Sequence, residues 1–134
     1  MAFHAKALEI ALDELLALGT PKLAFMATSY TPNQETDQYW ADISASIASG
    51  TTLRTLTSVV TTIDTANNRV EIDFDNPSET PVTTNTNKVA LIVDTGSDAT
   101  SPVVAVANLD QTYSPIGGTL TLTVNAEGLA AINY

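Results

Sequence analysis

The apolar residues of this chain change their spacing once, between residues 18 and 22, and that change limits the fold more than any other feature. Before it, Leu8, Ala11, Leu12, Leu15 and Leu16 recur at i, i+3, i+4, i+7 and i+8, the spacing of one helix face. After it the apolar period is two, the period of a strand. Gly19 and Pro21 stand where a C′ glycine and a following proline end a helix. On a wheel of about 100° per residue, Lys6, Glu9 and Asp13 share a narrow arc. Phe3, Leu8, Ile10, Leu12, Leu15, Leu16 and Leu18 cover most of the remaining circumference. A helix apolar on most sides is buried on most sides, so a partner subunit or a deep groove is expected to cover it.

Beyond the break, residues 22–29 read as a short apolar strand and residues 30–48 as a long loop with one helical turn. Residues 53–64 read as one strand, ended by the turn sequence Ala66-Asn67-Asn68. Residues 69–75 alternate, with Val70, Ile72 and Phe74 expected to face in and Glu71, Asp73 and Asp75 to face solvent. Pro77 and Pro81 make residues 76–87 a loop or a weak edge strand. The nearly continuous apolar run at 88–94 suits a central strand. Strands at 101–110 and 117–124, a turn at Asn125-Ala126-Glu127-Gly128 and a last strand at 129–132 complete the chain. The fold class is therefore mainly β: a single β-sandwich or jelly-roll-like domain of about seven strands, preceded by an N-terminal α-helix. Residues 1–20 form the helix, for oligomerisation or docking, and residues 21–134 the sandwich, which is expected to fold without residues 1–18.

Composition removes whole classes of function. A chain of 134 residues is the size of one domain. With 5 Lys+Arg against 15 Asp+Glu, a net charge of −10, it lacks the basic cluster that nucleic-acid phosphates require. It has no cysteine, hence no disulfide and no thiolate metal site. No run of about 18–20 apolar residues is present, so no membrane partner is expected. Glu9, Asp13 and Glu14 interrupt the apolar stretch that a signal peptide would need, which points to a helix of the mature protein.

No site of chemistry stands out. His4 is the only imidazole, lies near the chain start, and has no evident nucleophile partner. The alternate carboxylates Glu71, Asp73 and Asp75 stand about 6.5–7 Å apart along a strand, as on a solvated face; a cation site is the sharper alternative. The oxygen-rich stretch from Asp94 through Gly96 and Asp98 to Ser101 is read as turn chemistry in preference to a calcium loop. Asp94-Thr95-Gly96 matches the signature of aspartic proteases, but only once and without the apolar-apolar-Gly segment expected after it. No enzyme and no cofactor are expected. Tyr30, Tyr39 and Trp40 cluster in the long loop, either as a contact surface or as a cap on a small core.

Four segments taken together, residues 6–12 (KALEIAL), 29–43 (SYTPNQETDQYWADI), 94–106 (DTGSDATSPVVAV) and 117–132 (GGTLTLTVNAEGLAAI), resemble a family of small virion structural proteins of tailed bacteriophages. The resemblance departs in the middle, where Ser49-Gly50-Thr51-Thr52 replaces a longer glycine-rich stretch, and at Val124, where an aromatic is usual. It implies a capsid decoration (cement) protein, made in the host cytoplasm and placed on the virion. Its partners would be the major capsid protein and further copies of itself, as a homotrimer. The interface candidates are Phe3, Leu8, Ile10, Leu12, Leu15 and Leu16 on the helix, with Tyr39 and Trp40 in the loop. The alternative is a tail-tip or fibre-associated module that stacks a host glycan on Tyr39 and Trp40.

Overall fold

The computed structural model describes residues 3–124 and 130–134. It is mainly β and sandwich-like, as its alternating patterns predict. Helix α1 (Ala5–Leu16) is followed by β1 (Thr20–Ala27), a short helix α2 (Trp40–Ile43) and a 3-10 turn (Ser44–Ser46). Then come β2 (Arg54–Thr55), β3 (Val60–Asp64), β4 (Arg69–Asp73), β5 (Ser78–Val82), β6 (Thr86–Asp94), β7 (Val103–Tyr113), β8 (Gly118–Thr121) and β9 (Ala130–Asn133). The turn expected at 125–128 lies outside the described residues.

A four-stranded antiparallel sheet, ordered β2-β1-β6-β7, forms the centre. Strands β1 and β6 pair over almost their whole length, from Thr20 opposite Asp94 to Phe25 opposite Val89. Their run-on apolar sequences follow from burial on both faces. Leu23, Phe25, Val89 and Leu91 join one core with Leu12 of α1, Val70 and Ile72 of β4, Val82 of β5 and Leu120 of β8. Ala24, Met26, Ala90 and Ile92 face the other way and join Tyr30, Trp40 and Ile43. Smaller sheets β3-β4-β9 and β5-β8 complete the sandwich on the first side. The 30–48 segment closes the second.

One expectation needs correction. Residues 53–64 form two strands, because the chain changes sheets there: β2 pairs with β1, whereas β3 pairs with β4. Ser58 makes the break with φ +54°, and its hydroxyl and that of Thr57 donate to the Asp75 carboxylate. Of the two readings for 76–87, the structure has the weak edge strand: residues 78–82 pair with β8 in a two-stranded sheet, with the ladder interrupted around Pro81, which has no N–H to give. The main core runs across residue 20 through Leu12 of α1. Removing residues 1–18 would uncover that core.

Gly19 has a role the sequence pattern does not show. A Cβ there would lie 2.2 Å from the carbonyl oxygen of Asp94, the residue paired with Thr20. The helix therefore enters the sheet through a contact that only glycine permits. Gly19→Ala is expected to lower unfolding free energy by about 2 kcal/mol or more, read by denaturant titration, because the clash is with backbone that cannot step aside.

Candidate functional site

The sequence candidates on α1 separate into two sets. Leu12 is buried, and Leu8, Leu15 and Leu16 pack against the same core, where α1 lies on β3 and β4. These four are occupied within the chain and are not free for a partner. Phe3 and Ile10 remain outside, 68% and 53% exposed, together with Leu18 at 62%. The apolar residues thus divide into an inner helix face covered by this domain and an outer strip facing solvent, made of Ile10 on the helix with Phe3 before its N-cap and Leu18 after its C-cap. His4 is the N-cap residue of α1 and makes no side-chain capping bond.

The loop aromatics also separate. Trp40 is only 5% exposed and Tyr30 is equally enclosed, so both cap the second core; Tyr39 stays 45% exposed. Trp40 cannot serve as an open stacking platform, which corrects its place among the interface candidates. The cap is held by polar bonds on every side. Trp40 N–H donates to the Ser101 carbonyl at 2.8 Å, and Ala48 N–H to that of Phe25 at 2.8 Å. Asp42 Oδ2 accepts from the N–H groups of Gln38 and Tyr39 at 3.1 and 2.9 Å, fixing the start of α2.

Asp37 is the hub of the same loop. Its Oδ2 accepts from the Tyr30 hydroxyl and the Asn33 N–H, both at 2.8 Å. The Asn33 bond chiefly holds the Asp37 carboxyl below its ordinary range, with the Tyr30 and Thr36 hydroxyls adding to it. Burial, then the bond to Asp37, push the Tyr30 phenol far above its ordinary range.

The acidic clusters are structural. Glu71 is buried, not solvated, because Arg69 lies across it with Nε 2.7 Å from its carboxylate while also reaching Asp64. Asp73 accepts from the Phe74 N–H. In the turn after β6, Asp94 accepts from Gly96 N–H at 2.8 Å and pairs with Lys22 at 2.7 Å, and both contacts lower its carboxyl pKa, that of Lys22 the more. Ser101, fully buried, accepts from Thr95 N–H and donates to the Ser97 carbonyl. These are Asx and hydroxyl turn bonds. Among the described residues, no group of three or more His, Cys, Asp or Glu is placed to hold a metal ion, and no helix is long and apolar enough to cross a membrane.

Two features have no counterpart in the sequence reading. One is a groove of about 440 Å³ between β7 and residues 120–124, floored by Phe25 and Leu120. The other is Ile116, 88% exposed in the turn between β7 and β8. The signal for the second was present in Pro115-Ile116-Gly117-Gly118, an apolar β-branched residue inside a turn sequence. No known protein family, curated protein or solved structure matches the chain.

A pH test follows from Asp37. A carboxyl held low in the fold adds stability above its unfolded pKa of about 3.9, and that stability is lost as pH falls through the lower folded value. Wild type is expected to melt above Asp37→Asn at pH 7, and the gap should narrow as pH falls below about 4. A gap that stays constant to strongly acid pH would mean that the charge on Asp37 plays no part.

Proposed function

We propose that this protein is a virion structural protein, a capsid decoration (cement) protein that docks on the outer surface of a tailed-phage head and braces capsomer junctions. The observation that carries the reading is the outer strip of α1. Ile10 is exposed on a helix whose opposite face is packed on the core, and Phe3 and Leu18 are exposed just before its N-cap and just after its C-cap, so three apolar side chains face solvent within one short stretch of chain. Anchoring of the helix on the core lowers the ordering cost of binding at Ile10, and repetition over many sites turns modest contacts into strong retention. The resemblance of the helix, the 29–43 loop and the 94–106 turn to phage structural proteins supports the same reading. So does the charge of −10, which keeps crowded copies apart and away from released DNA. The glycan-binding alternative loses its main support with Trp40 enclosed in the loop cap.

The test is reconstitution on heads that lack the protein. Wild type is expected to bind them and raise the temperature at which they release DNA. Phe3→Asp/Ile10→Asp is expected to keep the wild-type fold by circular dichroism yet bind at least about tenfold more weakly, as loss of central apolar anchors does. Equal binding by the double variant would remove the strip from the mechanism. Leu12→Ala is the contrast: it should lower stability by about 2–5 kcal/mol through a cavity in the core, read by denaturant titration.

A further inference from the structure

Ile116 combines two unfavourable features. Its φ is +52°, in the left-handed region where the Cβ of an L-residue crowds the following carbonyl and a branched Cβ crowds it more. It is also the most exposed large hydrophobic residue among those described, at 88%. The turn leaves the backbone little choice. Gly118 N–H donates to the Pro115 carbonyl at 3.0 Å, Gly117 N–H donates to the Val82 carbonyl at 2.7 Å, and Gly117 itself has φ +79°. Two successive positive-φ residues form a tight reversal whose first position favours Asn, Asp or Gly. Isoleucine there contributes nothing to this chain's own packing.

The groove lies between β7 and residues 120–124. Its walls, Leu109 and Tyr113 on one side and Leu122 and Val124 on the other, come from the two stretches of chain that the turn joins. Ile116 is not among the residues that line it. The floor reaches Phe25 and Leu120 of the main core, so an apolar group seated there would extend that core. At about 440 Å³ the space falls in the range of roughly 300–1,000 Å³ that encloses compact ligands, ample for an isoleucine with its neighbouring proline.

We propose that Ile116 of one copy seats in this groove of a second copy, head to tail, and that this contact builds the homo-oligomer. A second copy is the occupant because both halves of the match are on one chain: an apolar knob without charge from Pro115 to Gly118, and an apolar-floored hole whose lining carries only Asp110 as a charge. Elsewhere the surplus of acids opposes self-association; here the knob carries no charge and the hole only that of Asp110. Head-to-tail contacts close into a ring when the rotation between copies allows. The proposal rests on the reading of the protein as one that assembles, but it uses a surface separate from the outer strip of α1.

The experiment is native mass spectrometry and sedimentation of the full chain over a concentration series. Wild type is expected to form a closed oligomer. Ile116→Asn is expected to weaken association at least about tenfold while raising the melting temperature of the monomer by about 3–6 °C, since it relieves the backbone crowding. Thr123→Arg places a long side chain on an exposed residue of the groove lining and is expected to block the hole. Neither variant should assemble alone, but a mixture should give one-to-one dimers, the knob of Thr123→Arg entering the groove of Ile116→Asn. Wild type that stays monomeric, Ile116→Asn that associates like wild type, or a mixture without dimers would overturn the proposal. The Phe3→Asp/Ile10→Asp protein should still oligomerise, so failure to bind heads and failure to self-associate are read separately.

Discussion

Everything in this protein is built onto the ladder between β1 and β6. Each strand is apolar on both faces, so the pair is stable only if both faces are covered. One cover is the sandwich partner with α1; the other is the 30–48 segment. A sheet that needs two covers explains why a chain this short spends a helix and a long loop on packing. It also explains why those two segments, which look like spare binding equipment in the sequence, are largely committed to the interior.

The charges follow the same logic. Of the five cationic residues, Lys6, Lys22, Arg54 and Arg69 each sit in an ion pair within the chain. Arg54 and Arg69 accompany the two buried carboxylates, Glu79 and Glu71, which without a partner would be costly to enclose. The positive charge is thus engaged inside the molecule, and the surface shows an excess of acids. Contacts with other molecules then fall to apolar positions, and those exposed in the described structure are few: the outer strip of α1 and Ile116 are the most prominent.

Much of the fold was legible because it rests on period alone. The helix end near residue 18, the central place of the 88–94 strand and the inward set Val70, Ile72 and Phe74 all follow from apolar spacing. What spacing cannot show is which sheet a strand joins, and residues 53–64 therefore read as one strand where the chain crosses between two. Spacing also cannot separate an apolar face that meets its own core from one that meets a partner. Leu8, Leu12, Leu15 and Leu16 looked the same as Phe3 and Ile10 until β3 and β4 were in place. Glu71 differs for a related reason: strand alternation assigns it to solvent, but it is buried and paired with Arg69 two residues earlier. The exposed Ile116 and the groove between β7 and residues 120–124 depend on backbone dihedrals and on an unfilled space, and neither leaves a periodic trace.

The dependence of the molecule on its doubly covered ladder is open to direct measurement by native-state hydrogen exchange. Amides of residues 23–26 and 89–93 should exchange slowest and at a common rate, only through global unfolding, while those of α1 and α2 exchange earlier by partial opening. If amides of α1 or of the 40–43 turn prove as protected as the ladder, or if β1 and β6 exchange at different limits, the ladder is not what holds the rest of the structure.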